Sequence, residues 1–322
     1  DLTGCTRIED FSFLQHCNKL TNLNLSWCNQ IEDFSFLKHC NKLTSLNLIN
    51  CFQLDDISFL QHYKDLTSLN LSWCSKIKDF SFLQHCNELT SLSLLKCGQI
   101  NEISFLKDCK KLTSLDFTGC THIKDFSLLQ DFMELKDLNL TSCTQINDFS
   151  FLKLISMLTN LNLSNCMQIN DCTFLEQCNN LASLNLGTCK QIKDFSFIKQ
   201  CTNLTSLDLS WCNQIEDFSF LQHCNKLINL ELQHTRIKNI SFLQNYKELK
   251  ILSLFYCMQI EDFRFIENCS KLINLNLSNC RQINDISFLK KCEELTFLDI
   301  SWCNQINALS IELFRNRGIK IK

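Results

Sequence analysis

Residues 24–43 read NLSWCNQIEDFSFLKHCNKL, and residues 208–227 read DLSWCNQIEDFSFLQHCNKL, which is almost the same string. The copies are 184 residues apart, or eight times 23, and the motif L-x-x-L-x-L recurs throughout the chain at this spacing. With Phe117 and Ile300 accepted in its last position, the motif starts at Leu20, Leu43, Leu66, Leu89, Leu112, Leu135, Leu158, Leu181, Leu204, Leu227, Leu249, Leu272 and Leu295. Every interval is 23 residues except the 22 between Leu227 and Leu249. A fixed period of this size indicates one solenoid rather than two globular domains.

The boundaries of the solenoid follow from the repeat. About fourteen units of 22–23 residues fill residues 1–307, the first of them incomplete, and residues 308–322 are expected to form a C-terminal capping segment. In that segment the final GIKIK alternates isoleucine with lysine, and such a basic edge discourages the addition of a further strand. Because Asp1 stands in the middle of a repeat, we expect that residues preceded it.

Each unit follows the pattern L-T-x-L-N-L-S-x-C-x-Q-I-x-D-F-S-F-L-x-x-C-x-x. The L-x-L alternation predicts a short strand with inward leucines, paired in parallel with the next unit at about 4.8 Å. The Asp before F-S-F-L, such as Asp33, is placed to cap a helical turn. A unit of 23 residues leaves no room for a long helix, so this turn is expected to be a 3-10 or short α-helix.

The pattern resembles the unit of leucine-rich repeat proteins, and the match covers almost the whole chain. L-x-x-L-x-L-x-x-C resembles the cysteine-containing subtype, whereas I-x-D-F-S-F-L is similar to the I-x-D-I-x-x-L of internalin-type repeats. The chain therefore resembles a hybrid of the two subtypes. The resemblance implies an α/β solenoid, an arc with a parallel β-sheet on its concave side and short 3-10 or α turns on its convex side.

The 23 cysteines follow the repeat. Thirteen occupy a slot at the end of the strand, nine occupy a slot after the helical turn, and Cys172 stands apart. Tyr63, Phe132, Ile155 and Tyr246 replace cysteine in the turn slot, which a disulfide partner would not allow. A free thiol at an inward position acts as a small apolar group. We therefore predict that all 23 cysteines are reduced and that the protein is intracellular and cytoplasmic.

The sequence offers little chemistry for catalysis, so we predict that the chain is not an enzyme and uses no cofactor. Its five glycines are scattered and form no phosphate-binding loop, and neither C-x-x-C nor H-E-x-x-H occurs, so no metal site is predicted. His16, His39, His62 and His85 recur in one slot of four successive units. Such a row could bind a transition metal or respond to pH, but a solvated row copied by duplication is the simpler interpretation.

Charge and hydropathy narrow the class of partner. The net charge of −3 comes without a basic stripe, which argues against nucleic acid and membrane surfaces. No segment has the apolar length of a transmembrane helix. We expect a monomer whose partner is another protein.

The copies differ most in the slot two residues after the last leucine of the strand, which we call the variable slot. It is occupied by Gly4, Trp27, Asn50, Trp73, Lys96, Gly119, Ser142, Asn165, Thr188, Trp211, His234, Tyr256, Asn279 and Trp302. A core position would not accept glycine, lysine and tryptophan alike, so the four tryptophans are interpreted as exposed. Exposed Trp and Tyr side chains commonly anchor protein interfaces, although duplication of S-W-C-N-Q within its unit would also explain Trp27 and Trp302.

One region departs from the repeat in several slots at once. The departures involve Trp211, His234 and Tyr256 in the variable slot, with Glu231, Gln233, Phe255 and Arg236 beside them. The same region contains the 22-residue unit, with Thr235 in place of the strand-end cysteine. Departures from a local rule are expected where function lies, so we predict that these residues bind the partner. Local drift or a bend in the arc is the alternative. Trp27, Trp73 and Trp302 are further candidate contacts.

These observations predict a protein–protein interaction scaffold that binds a partner on its concave face. One form of this function is the recognition part of an intracellular bacterial effector, which would act in the host cytoplasm. Two alternatives stay open, because similar cysteine-containing repeats accompany F-box-type ubiquitin ligases as substrate receptors, and another reduced-cysteine family acts as an enzyme inhibitor. An adhesin, as the internalin resemblance could imply, conflicts with the free thiols.

Overall fold

A computed structural model describes residues 1–8 and 10–322 of the chain. Fourteen parallel strands form one sheet, and their order in the sheet follows the chain. The strands are β1 (Asn22–Asn24), β2 (Ser45–Asn47), β3 (Ser68–Asn70), β4 (Ser91–Ser93), β5 (Ser114–Asp116), β6 (Asp137–Asn139), β7 (Asn160–Asn162), β8 (Ser183–Asn185), β9 (Ser206–Asp208), β10 (Asn229–Glu231), β11 (Ile251–Ser253), β12 (Asn274–Asn276), β13 (Phe297–Asp299) and β14 (Lys320–Ile321). The predicted fold class, a leucine-rich repeat solenoid of parallel strands, is confirmed.

A 3-10 helix precedes each of the strands β1 to β13. These helices span Ser12–His16, Ser35–His39, Ser58–His62, Ser81–His85, Ser104–Leu106, Ser127–Asp131, Ser150–Leu154, Thr173–Leu175, Ser196–Gln200, Ser219–His223, Ser241–Asn245, Arg264–Asn268 and Ser287–Lys291. The conserved Asp of the repeat starts the turn. Asp33, for example, immediately precedes the N-cap residue Phe34. Its Oδ1 accepts a hydrogen bond from the backbone N–H of Ser35 at 2.7 Å. The short helix therefore begins with an Asx-type turn of the kind that Asp favours.

By its internal contacts the chain divides into two units, Asp1–Leu161 and Asn162–Lys322. In β1 to β13 the second residue of the strand and the apolar residue two positions later point into the core, as Leu46 and Leu48 do with 1% and 0% exposure. The first and third residues of each strand point to the opposite side, because side chains alternate along a strand. We call this side the sheet face.

The cysteine ladders are hydrogen-bonded as well as buried. Cys51 Sγ donates to Leu25 O at 3.3 Å, and Cys212 Sγ donates to Leu186 O at 3.2 Å, so each of these thiols reaches the carbonyl of the residue that follows the strand of the preceding repeat. In the turn slot, Tyr63 replaces cysteine and donates its hydroxyl to Leu37 O at 2.7 Å. The substitution that the sequence shows at this slot thus keeps the donor and adds volume to the core.

The C-terminal segment contains the α-helix α1 (Ala308–Asn316) followed by β14. The Asn307 side chain caps α1 by accepting the N–H of Leu309 at 2.9 Å. Arg317 Nη2 then donates to Cys292 O at 2.8 Å. The segment that was expected to close the solenoid thus supplies the fourteenth strand. The incomplete first unit does not supply a strand in the described part of the chain. None of the helices in the described part of the chain has the length and apolar character needed to cross a lipid bilayer.

Candidate partner-binding surface

The backbone of the variable slot is left-handed. Its φ lies between 54° at His234 and 71° at Gly119, across all fourteen repeats. A left-handed conformation costs an L-residue roughly 1–2 kcal/mol, and only glycine and, to a lesser degree, asparagine adopt it readily. The glycines and the three asparagines in the slot are the sequence signal of this conformation, whereas the prediction from the sequence was only that the slot is exposed.

Tryptophan and tyrosine therefore occupy backbone positions that disfavour them, and their side chains are exposed. The exposed fractions are 54% for Trp27, 45% for Trp73, 41% for Trp211, 37% for Tyr256 and 67% for Trp302. The expectation that the tryptophans lie at the surface is confirmed. A solvent-exposed ring in a strained backbone position does not contribute to the core, so stability of the fold does not explain it.

Three side chains of the variable slot stack on one another in the second unit. The rings of Trp211 and His234 are parallel, with centroids 3.5 Å apart and planes inclined by 13°. The His234 ring also stacks against Tyr256 at 4.4 Å and meets the edge of Phe255 at 4.8 Å. We call Trp211, His234, Phe255, Tyr256 and the neighbouring Gln233 the aromatic surface. The structure thus brings together five of the residues that the sequence singled out.

Glu231 lies on the sheet face beside the aromatic surface, at the third position of β10. Gln233 Nε2 donates to Glu231 Oε2 at 2.9 Å, which ties the two side chains together. Burial raises the pKa of the Glu231 carboxyl, and the nearby charge of Asp208 raises it further, while the bond from Gln233 opposes the shift. Burial also lowers the pKa of His234, so the stacked imidazole favours its neutral form.

The 22-residue unit keeps the sheet in register. Glu231 aligns with Asp208 on one side and with Ser253 on the other, so the missing residue is absorbed in the loop after the variable slot. In that loop the Thr235 hydroxyl donates to Leu232 O at 2.7 Å and lies 3.6 Å from Cys257 Sγ. The shorter unit therefore leaves the register of the strands unchanged. It differs from the other units only in the loop that carries Arg236, whose side chain is exposed.

The remaining tryptophans lie in other repeats and do not extend the aromatic surface. Trp27 and Trp73 belong to the first unit, where the ammonium of Lys96 lies 6.0 Å from the centroid of the Trp73 ring. Trp302 follows β13, in the last repeat. These three residues were predicted from the sequence as further contacts, and they stay predictions.

Exposed isoleucines lie near the aromatic surface. Ile228, Ile251 and Ile273, at or just before the starts of β10, β11 and β12, are 40%, 37% and 37% exposed. They replace the polar residues that most repeats have at these positions, a departure that the sequence shows in the same region. The surface around β9 to β11 is therefore apolar at both ends of the strands, with the acids Asp208 and Glu231 between these ends.

The described residues contain no cluster of three or more His, Cys, Asp or Glu side chains that could hold a metal ion. His16, His39, His62 and His85 are exposed at the ends of their 3-10 helices. Burial raises the pKa of the ladder thiols, to about 12 for Cys51 and Cys212, so they are protonated and unreactive near neutral pH.

Comparison with protein families agrees with this fold. The family described as the BspA type leucine-rich repeat region matches residues 48–169 and 129–248, and leucine-rich repeats in two copies match residues 18–62. Together the BspA-type matches cover more than half of the chain. No curated protein sequence matches the chain significantly.

Solved structures that share this fold include those of InlF, InlJ and TLR13. An internalin, InlF from Listeria monocytogenes, has 23% identity and a TM-score of 0.72, covering 95% of this chain and 96% of its own. The functional domain of InlJ from Listeria monocytogenes, which includes a cysteine ladder, has 15% identity and a TM-score of 0.59, covering 91% of this chain and 70% of its own. TLR13 in a TLR13–ssRNA13 complex has 21% identity and a TM-score of 0.57, covering 96% and 54%. At these identities the likeness establishes the fold alone.

Proposed function

We propose that this chain, which belongs to the leucine-rich repeat family, is an interaction scaffold that binds a partner protein through the aromatic surface in its second unit. Membership of the family supports a general role in protein interaction. The position of the surface is supported by Trp211, His234 and Tyr256, which stack on one another while remaining accessible to solvent.

One observation carries the proposal. The variable slot has a backbone that suits glycine and asparagine, and three successive repeats fill it with Trp, His and Tyr. Each of these residues costs backbone free energy and leaves apolar area in water, so the native fold gains little from them. A partner that covers the rings would recover that free energy, because buried Trp and Tyr side chains supply much of the affinity of protein interfaces.

We also propose that the chain works in a reducing compartment, as the recognition part of an effector would in the cytoplasm. Support comes from the burial of most of the cysteines and from the hydrogen bonds that their thiols donate to backbone carbonyls. Alkylation of the denatured protein taken from its own cells is expected to count 23 free thiols. A native disulfide would overturn this placement.

The binding proposal is tested by affinity capture with the aromatic surface removed. The variant W211N/H234N/Y256N replaces each ring with asparagine, which this chain already uses in the same slot at Asn50 and Asn279 with φ of 64° and 59°. The backbone conformation is therefore preserved, and circular dichroism is expected to match the wild type. Proteins captured from lysate by the two forms are compared by mass spectrometry. A protein held by the wild type and lost by the variant is the expected result.

The matched control is K96N/S142N, which places asparagine in the same slot of two other repeats, at residues that are not predicted to contact the partner. This control is expected to retain the partner. Loss with the control and retention by W211N/H234N/Y256N would overturn the assignment of the site. Each capture is repeated in nuclease-treated lysate, and a partner that disappears with nuclease would show that nucleic acid, and not protein, is recognised.

A further inference from the structure

Two carboxylates lie side by side on the sheet face. Asp208 and Glu231 are the third residues of β9 and β10 and are register partners, so their Cα atoms are separated by about the 4.8 Å strand spacing. Most repeats carry a neutral residue at this position, usually an asparagine, as in Asn24, Asn47, Asn70, Asn139, Asn162, Asn185 and Asn276. Two adjacent acids occur here and at no other pair of repeats in the sequence.

A lysine side chain pairs with the acid at the third position of β13, but among the described residues no lysine or arginine pairs with Asp208 or Glu231. Lys322 Nζ lies 3.5 Å from Asp299 Oδ2, at the third position of β13. The ion pairs among the described residues include neither Asp208 nor Glu231. The third strand position can therefore hold an ammonium, and the two acids on β9 and β10 have no such partner among the residues that the structure describes.

Unpaired polar atoms flank the two acids. Ser210 follows Asp208 by two residues on the same face, is only 8% exposed, and its Oγ has no hydrogen-bond partner among the described residues. Asn229 precedes Glu231 by two residues on the same face, and its buried Oδ1 is likewise without a partner there. A buried polar atom without a hydrogen bond costs free energy that a donor from outside the chain would recover.

Apolar groups border this acidic strip on both sides. The Phe255 ring and the stacked His234 lie on the side of the variable slot. Ile228 and Ile251 lie at the other ends of the strands, 40% and 37% exposed. A side chain that combines several N–H donors, a positive charge and a flat face that stacks on aromatic rings fits this arrangement, and these are the properties of arginine.

We infer that the partner presents an arginine between apolar residues, with its guanidinium bound by Asp208 and Glu231 and its apolar neighbours on Ile228, Ile251 and Phe255. Ser210 Oγ serves as a further acceptor for one of the remaining N–H groups. This inference rests on the proposed function, because it names the chemistry of the partner at the same surface.

The test uses a capped pentapeptide with one central arginine between leucines, and the same peptide with neutral citrulline in its place. Binding is followed by the shifts of the tryptophan indole N–H signals, of which that of Trp211 is assigned with the W211N variant. The arginine peptide is expected to shift the Trp211 signal and to leave that of Trp27 unchanged. The citrulline peptide and the variant D208N/E231N are each expected to weaken binding by about 10- to 100-fold.

The control D116N removes an acid at the same strand position in the first unit and is expected to bind like the wild type. Asparagine is the common residue at this position, so the variants are expected to fold. Equal binding of the two peptides, equal binding by D208N/E231N, or no shift at Trp211 would each overturn the inference. The two proposals are separated by repeating the capture experiment with D208N/E231N. A partner that this variant retains and W211N/H234N/Y256N loses supports the proposed function and overturns the arginine.

Discussion

The imidazole of His234 lies flat against the indole of Trp211, with ring centroids 3.5 Å apart, although the two residues are 23 positions apart in sequence. The contact follows from the repeat, because equivalent slots of neighbouring units lie beside each other. It joins two residues in left-handed conformations, with φ of 66° and 54°. The stack therefore orders two side chains that the backbone alone would disfavour.

We expect this stack to contribute a measurable coupling free energy. In a double-mutant cycle of W211N and H234N, the coupling should be about 0.5–1.5 kcal/mol, the range found for aromatic pairs. The free energy of unfolding is measured by urea denaturation of the wild type, the two single variants and the double variant. A cycle of W302N and H234N is the control and should be additive, since the side chains belong to distant repeats. Additivity of W211N and H234N would show that the rings do not interact.

A second expectation concerns the variable slot itself. Thr188 is β-branched and has a φ of 63°, a conformation that asparagine tolerates better. T188N should raise the free energy of unfolding by about 0.5–1 kcal/mol, measured by urea denaturation. The reverse change, N279T, at a φ of 59° should lower it by a similar amount. The same sign for both changes would show that backbone strain does not decide the preference of the slot.

The hydroxyls of the two buried tyrosines should also be measurable. Tyr63 and Tyr246 donate to Leu37 O and Leu221 O, each at 2.7 Å. Y63F and Y246F should each lower the free energy of unfolding by about 1 kcal/mol, because each removes one buried hydrogen bond and leaves the ring in place. Y256F is the control and should change stability by less than about 0.5 kcal/mol, since Tyr256 is at the surface. Losses in Y63F and Y246F no larger than in Y256F would contradict the assignment.

Native protein should react slowly with a thiol reagent. Cys5 and Cys17 are partly exposed, whereas the other 21 cysteines are buried. Burial also raises the pKa of thiols such as Cys51 to about 12, which removes the reactive thiolate at pH 8. Labelling with a chromogenic disulfide is expected to give two fast thiols in the native protein and 23 in urea. The variant C5S/C17S should remove the fast phase, and its persistence would place reactive thiols in the core.

The fold could be predicted because the repeat places its leucines, its Asp and its F-S-F-L in the same positions throughout. The aromatic surface was predicted in part, since the slot showed that Trp211, His234 and Tyr256 are neighbours. The stacking of their rings could not be predicted, because it depends on a left-handed backbone whose signal was masked by bulky residues. Nor could sequence show that Gln233 bonds Glu231, since two residues on one face of a strand can turn to each other or to solvent. The hydroxyl bonds of Tyr63 and Tyr246 could not be predicted, because Phe132 and Ile155 fill the same slot without a side-chain donor.

Glu231 and Asp217 should respond to pH with opposite signs. Burial raises the pKa of Glu231 in the folded state, so the folded protein binds its proton more tightly, and stability is lost as pH rises through that pKa. E231N should therefore be more stable than the wild type at pH 7, and the difference in stability should vanish below about pH 4.

The pKa of Asp217 is lowered by the bond from the Ser219 N–H, so the stabilisation that this carboxylate gives is present at neutral pH and lost in acid. D217N should be less stable than the wild type at pH 7, because it removes the charged acceptor. The difference in stability should shrink in acid, where the Asp217 carboxylate becomes protonated. The bond itself can persist in D217N, since Asn239 accepts the equivalent N–H with its amide. Urea denaturation at pH 7 and pH 3.5 measures both differences, and a less stable E231N at pH 7 would show that the carboxylate is already paired within the chain.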